Sequence, residues 1–293
     1  MPDLPPNSII LLEGGALRGC YNCGVLDVLM EHDYYFPAVG SVSAGGLNAV
    51  NYLARQPGRG GRIVLRYRHD PRYVGPLALL KSKGVFGFDF MFNELPNREP
   101  FDQKTFDESP QKLFVFATDV DTGRAQMFEK GRCTDIRKAL AASASMPMCS
   151  LPVKVEGHRC LDGGCSAAIP LDWALAQGYD KIVIAATREK GFRKPMTSRK
   201  MVDLYGDFYA NDTEFFAALL MMDMHYNALM DQMDELEAAG RIFVLRPQEP
   251  VQVDRFEGNT EKLLALINAG RRDTRAAMPA LAGYLGLEKE ETL

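Results

Sequence analysis

Ser8–Leu12 reads SIILL, a short run with no polar alternation after the serine. A continuous apolar run of this length is what a strand covered on both faces requires, as in a parallel sheet. It gives way to Glu13-Gly14-Gly15-Ala16-Leu17-Arg18-Gly19. The stretch CYNCGVLDVLMEH then sets Val25, Leu26, Val28 and Leu29 at helical spacing. Ala38–Val42 predicts a second strand and 44–55 a second helix. Strand and helix alternating in this way predict an α/β fold, a parallel sheet with helices on its faces. Further strands are predicted at 113–118, Val153–Val155, Lys181–Ala185 and 241–245, with helices at 134–143 and Leu171–Ala176. The Met-rich stretch 201–239 predicts one long helix or two pieces, and the tail from Thr260 one or two more. The least regular part is 71–110. No repeat, low-complexity segment or linker divides the chain, so a single domain over 1–293 is expected.

Composition changes this picture little. The 293 residues carry 46% hydrophobic and 25% charged residues, enough apolar mass for a large core held without disulfide or metal. A net charge of −4 without a basic block argues against nucleic acid as a partner and against strong attraction to anionic membranes. No apolar run reaches the length of a membrane span, and MPDLPPNSII lacks the positive end and long apolar stretch of a signal peptide. A cytoplasmic protein is the expectation. Cys20, Cys23, Cys133, Cys149, Cys160 and Cys165 read mostly as buried free thiols. Cys20 and Cys23 form one C-x-x-C, but a zinc site wants a second pair.

Candidate chemistry lies at the exits of the first two strands. Ser41-Val42-Ser43-Ala44-Gly45 ends a strand and enters a helix through small residues. This is the pattern of a nucleophile elbow, G-x-S-x-G, with Ser41 in the first glycine's place, where it is expected to crowd the turn. A helix N-terminus behind Ser43 favours negative charge. At the first exit, Gly14, Gly15 and Gly19 let backbone amides turn toward an anion, as an acyl-transfer enzyme needs for its oxyanion. The same glycines also fit a dinucleotide fingerprint with Ala16 as its middle residue. That reading wants an acid at the end of the second strand, where Ser41-Val42-Ser43 stands instead. A serine nucleophile needs a base. His32, His69, His158 and His225 lie outside turns that would aim them at a site. Asp162, before Gly163 and Gly164 and after a predicted short strand, is the better candidate, and a desolvated pocket would raise its pKa toward usefulness.

Taken together, these segments resemble the patatin-like phospholipase family. Glu13 to Gly19 is similar to that family's Asp-Gly-Gly-Gly-x-Arg-Gly loop, Ser41 to Gly45 to its serine elbow, and Asp162-Gly163-Gly164 to its Asp-Gly-Gly/Ala motif. Ala142-Ser143-Ala144-Ser145-Met146-Pro147 resembles its Ala-Ser-x-Ala-x-Pro segment. The likeness spans about 8–190, leaving 191–293 as a helical C-terminal extension. It implies a three-layer α/β/α fold with a mostly parallel sheet and a Ser-Asp hydrolase of lipid acyl esters. Ser43 is then the nucleophile, Asp162 the base, and the amides of Gly14, Gly15 and Ala16 the oxyanion hole. Arg18 is the loop's basic position, with Gly19, Ala44, Gly45, Gly163 and Gly164 in support. The expected partners are a lipid or acyl-ester substrate and, transiently, a membrane surface, with no cofactor and no metal. An acyltransferase shares the acyl-enzyme, and a non-catalytic acyl-binding protein shares the scaffold. Gly84 to Phe92, rich in phenylalanine, reads either as a buried crossing segment or as a lid or wall for an acyl chain. The stripe of Phe215, Phe216, Leu219 and Leu220 with Met221, Met222 and Met224 reads as core.

Overall fold

Every residue of Ser8–Leu12 is buried because the strand has parallel neighbours on both edges and helices on both faces. The computed structural model describes residues 3–287. Its strands are β1 (Ser8–Leu12), β2 (Ala38–Val42), β3 (Lys112–Asp119), β4 (Ala125–Glu129), β5 (Val153–Val155), β6 (His158–Asp162), β7 (Lys181–Ala185) and β8 (Ile242–Leu245). The helices are α1 (Cys20–Glu31), α2 (Ala44–Leu53), α3 (Arg59–Tyr67), α4 (Pro76–Ser82), α5 (Gln103–Glu108), α6 (Ile136–Ser143), α7 (Leu171–Ala176), α8 (Arg199–Phe208), α9 (Thr213–Ala238) and α10 (Thr260–Leu285).

The sheet runs β5-β6-β3-β2-β1-β7-β8, with β4 paired to β3. β3, β2, β1, β7 and β8 are parallel, while β4, β6 and β5 join antiparallel. Alternation along β1 separates the layers. Ile10 and Leu12 enter a core shared with α1, α2, α6 and α10, and Ile9 and Leu11 one shared with α7 and α9. The α/β architecture expected from the sequence is therefore present, a mostly parallel sheet between helical layers. No helix among the described residues is long and apolar enough to cross a membrane.

Several boundaries differ from expectation for local reasons. Asp135 accepts hydrogen bonds from the amides of Arg137 and Lys138, so α6 starts just after it. The stretch 201–239 holds most of α8 and all of α9, parted at 209–212, and the tail is one helix with Pro279 inside it. The stretch 71–110 contains α4, a π-helical turn at Phe90–Glu94 and α5. β4, β6 and α3 were not expected.

α10 lies against α1 at unusually close range. A Cβ on Gly24 would stand 2.1 Å from the Ile267 carbonyl oxygen, and one on Gly270 2.2 Å from that of Tyr21. Two glycines facing each other's backbone let the helices touch without side chains between them. α1 is buried from Cys20 to Met30 as a result.

Candidate active site

Register brings the second strand's exit to Asp162. On β3, Phe116 pairs with Val42 and the next residue, Ala117, pairs with Asp162. β4 takes the opposite edge of β3 over the same stretch, so β2 and β6 follow one another along a single edge. Ser43 is the first residue beyond Val42 and so meets Asp162 there. Its hydroxyl donates to Asp162 Oδ2 at 2.7 Å. The other carboxylate oxygen, Oδ1, accepts from the Gly164 amide at 2.8 Å, which holds the side chain in place. The Asp162 carbonyl accepts from Thr118 Oγ1, and its amide donates to the Ser145 carbonyl, both at 2.8 Å.

The elbow is strained as the sequence pattern requires. Ser43 has φ 52 and ψ −125, a conformation costing on the order of 1–3 kcal/mol for a residue with a side chain. Ser143 braces it. The Ser143 hydroxyl accepts from the Ser43 amide at 2.7 Å and donates to the Phe116 carbonyl at 2.6 Å. Gly45 lets α2 settle on the end of β1, because a Cβ there would lie 2.4 Å from the Leu12 carbonyl oxygen. Ser41 does not crowd the turn. It is buried within β2, and its hydroxyl donates to the Phe114 carbonyl at 3.1 Å, so the side chain is accommodated in the sheet before the turn begins.

The glycine loop closes over Ser43. A Cβ on Gly14 would come within 2.9 Å of Ser43 Cβ. The amides of Leu17 and Arg18 are occupied by the carbonyls of Arg255 (3.4 Å) and Gly15 (3.1 Å). Those of Gly14, Gly15 and Ala16 donate to no acceptor among the described residues. Ala16 has φ 50, in the left-handed region, although it stands where the resembling loop has its third glycine. Glu13 anchors the loop from beneath. Its carboxylate accepts from the Thr187 amide at 2.5 Å, the Thr187 hydroxyl at 3.0 Å and the Tyr226 hydroxyl at 3.1 Å.

Charge follows burial. Desolvation lifts the Asp162 carboxyl above the ordinary aspartate range. The Ser43 hydroxyl, the Gly164 amide and the cations Arg255 and Lys194 pull the other way. Burial, then Arg188 and Arg255, push the Arg18 guanidinium down to about 10. The thiol of Cys165, beside Asp162 in the cleft, is held protonated by burial.

Ser43 stands where two compartments meet. On one side is a cleft of ≈ 520 Å³ bounded by Glu13, Gly14, Gly15, Ala16, Arg18, Asp162 and Gly164, among others. On the other, a gap of ≈ 60 Å³ passes Ala16, Gly19, Ala44, Leu47 and Met91. It shares Leu47, Asn48, Val64, Tyr73 and Met91 with a cavity of ≈ 250 Å³ between α2, α3, α5 and α6. The phenylalanine-rich segment contributes Phe86 and Met91 to the gap and Met91 and Phe92 to the cavity. Phe88 and Phe90 pack elsewhere, against Phe92 and Tyr67. Phe215 and Leu219 are core, whereas Met222 lines the cleft.

The fold brings together Ser43, Asp162 and the glycine loop, all candidates named from the sequence. Ser41, Gly45 and Gly163 lie beneath rather than in the cleft. The braces Thr187 and Tyr226 carry no local signal in the sequence, and Ser143 stands in a visible motif that does not reveal its brace. None of the four histidines lines the cleft, and His158 is engaged by Asp119 at 2.5 Å. Among the described residues, no group of three or more His, Cys, Asp or Glu side chains is placed to hold a metal ion.

Residues 10–175 match the family model described as patatin-like phospholipase. Residues 212–286 match a second, described as a domain of unknown function (DUF6363). Among curated proteins, the uncharacterized protein YjjU of Escherichia coli (strain K12) is 24% identical over 259 residues, 85% of this chain and 71% of that protein. Among solved structures, VipD from Legionella pneumophila aligns over 97% of this chain and 67% of its own, with 10% identity and a TM-score of 0.43.

Proposed function

Because the chain belongs to the patatin-like phospholipase family, we propose that it is a lipid acyl hydrolase that works through Ser43, Asp162 and an acyl-enzyme. The observation that carries this reading is the 2.7 Å hydrogen bond from a strained, loop-covered serine to a buried carboxylate. The serine needs a proton acceptor within hydrogen-bond reach, and Asp162 meets that requirement. Its raised proton affinity makes it a stronger base than an exposed aspartate.

In the first half-reaction, Ser43 Oγ attacks the ester carbonyl carbon while its proton passes to Asp162 Oδ2. Negative charge develops on the carbonyl oxygen and is held by the amides of Gly14, Gly15 and Ala16, which have no acceptor among the described residues to give up. The C–O bond to the alcohol breaks, and Asp162 returns the proton to the departing oxygen. In the second half, Asp162 takes a proton from water, whose oxygen attacks the acyl-serine. Collapse of that intermediate frees the fatty acid and restores the Ser43 hydroxyl. The acyl chain lies in the apolar gap and cavity, and the alcohol half lies in the cleft.

A fluorophosphonate probe and a series of p-nitrophenyl esters test this reading. The wild-type protein is expected to be labelled and to hydrolyse the esters. Ser43→Ala should lose the label and about a thousandfold or more in kcat/KM. Wild-type turnover by Ser43→Ala would overturn the assignment.

A further inference from the structure

Four cations converge on the cleft: Arg18 from the glycine loop, Arg188 and Lys194 from the segment after β7, and Arg255 from the connection between β8 and α10. Three of them lie outside residues 10–175, so the catalytic family match does not account for them. Among the described residues, none of the four has a carboxylate oxygen within 4.0 Å. Their neighbours Arg193 and Arg246, by contrast, are both paired, with Asp231, Asp234 and Glu237.

What the four do contact leaves their charge unanswered. Arg18 Nε is buried with no hydrogen-bond partner. Arg188 donates to the Val251 carbonyl at 3.3 Å and lies 4.2 Å from the centre of the Phe192 ring, and Lys194 Nζ lies 4.0 Å from that of Tyr226. Arg255 stands exposed. The acids of the same cleft are already committed. Glu13 is held by Thr187 and Tyr226, Asp162 by Ser43 and Gly164, and Asp223 by the Thr197 hydroxyl at 2.5 Å. The cations also lie close enough to oppose one another. Arg188 and Arg255 depress Arg18 more than Glu13 raises it, and Arg255 adds to the effect of burial on Lys194, ahead of the opposing Glu13 and Asp223. Four cations against the three carboxylates of the cleft, none of them in direct ion-pair contact, leave an excess of positive charge that can receive an anion.

We propose that Arg188, Lys194 and Arg255, together with Arg18, bind an anionic phosphate on the alcohol half of the substrate, so that the preferred substrates are phospholipids whose headgroup carries net negative charge. This rests on the hydrolase reading for the placement of the scissile ester at Ser43. The apolar gap on the far side of Ser43 takes the chain, which leaves the headgroup to the cations. A headgroup bearing its own ammonium sets that ammonium near the same cations and loses part of the gain. A neutral headgroup gains nothing from them.

The test compares oleoyl lysophosphatidic acid, oleoyl lysophosphatidylcholine and monoolein, which share one acyl chain. We expect kcat/KM to fall in that order, by about tenfold or more between the first and last, the scale of one lost charge-assisted contact. Arg255→Gln and Lys194→Gln should each reduce the ratio of lysophosphatidic acid to monoolein about tenfold. Arg132→Gln, an exposed arginine paired with Glu129, should not change it. Equal kcat/KM for the three lipids, or a ratio unmoved by both cleft variants, overturns the proposal and leaves the hydrolase reading standing. If the wild-type protein hydrolyses none of them, the hydrolase reading fails, and equilibrium binding of the same lipids decides the subsite. Tighter binding of lysophosphatidic acid that disappears in Arg255→Gln upholds it, and equal binding overturns it. Competition by inorganic phosphate at the affinity of the lipid itself would assign the cations to a free anion and overturn the lipid headgroup.

Discussion

As the proposed base, Asp162 must be ionised to accept a proton, yet it is buried, and burial favours its neutral form. Its folded-state pKa therefore lies above its unfolded one. The stability linked to this group is fully present below the unfolded pKa and is lost as pH rises through the folded value. Above the folded value the charged carboxylate is a liability that the proposed function requires. Asp162→Asn removes it while keeping the shape: the amide oxygen accepts from Gly164, and the amide nitrogen donates to Ser43. We expect the variant to melt at a higher temperature than wild type at neutral pH, with the difference shrinking as the pH is lowered through the Asp162 pKa. Its ester hydrolysis should fall by about a hundred- to ten-thousand-fold, the range for loss of a general base. Thermal melts across pH, set beside turnover, check both; an Asn variant less stable at neutral pH than in acid, relative to wild type, contradicts the assigned shift. At this scale the sequence was most legible where a motif forces one geometry. Ser43 and Asp162 could be named because small residues beside each leave few alternative turns. Arg188, Lys194 and Arg255 could not, because nothing in their local surroundings distinguishes them from surface cations.

Elements were legible in proportion to their burial. β1 and β2, buried at every position, announce themselves, and β7 does so after its leading lysine. β6 reads HRCLD, with a half-exposed histidine and an exposed arginine at its start, and β4 reads AQMFE; neither shows the pattern of a buried strand. α3 was hidden by Gly60 and Gly61, poor helix formers. Tertiary packing retains both. A Cβ at Gly60 would press on Cys23 Sγ at 3.2 Å, and one at Gly61 on Ile267 at 3.2 Å. α3 also supplies Val64, which borders both the gap at Ser43 and the larger cavity. Val64→Phe narrows that passage. For p-nitrophenyl esters from butyrate to palmitate, we expect its optimum to move to shorter chains, with the long-to-short ratio of kcat/KM falling about tenfold. An unchanged chain-length profile would show that the acyl chain takes another path.

Across the molecule, the two matched segments share a core. Leu263, Leu266, Ile267, Leu281 and Leu285 of α10 belong to the same cluster as Tyr21, Leu26 and Leu29 of α1. Arg271 of α10 reaches Asp27 of α1 at 2.6 Å. α1 follows directly from the glycine loop, so the last helix supports the element from which the proposed oxyanion donors hang. The sequence predicted one or two helices in the tail; the partner of α10 was not legible, since two glycines far apart in the chain leave no joint signal. Gly270→Ala forces a methyl against the Tyr21 carbonyl. It should lower stability by about 1–3 kcal/mol, read as a fall in melting temperature. Gly283→Ala, where a Cβ meets nothing within 4 Å, serves as the control. Equal melting temperatures for the two variants would mean the helices separate freely.

The position of Ser43 between a charged chamber and a greasy one has a consequence for traffic. Under the proposed hydrolysis, an ester bound across it would be cut into halves that part in opposite directions. The polar alcohol would leave first, on the solvent-facing side, and only its departure would let water reach the bound acyl group. The fatty acid, threaded inward, would be the last to go, so its withdrawal from the narrow apolar passage would set the pace for long chains and not for short ones.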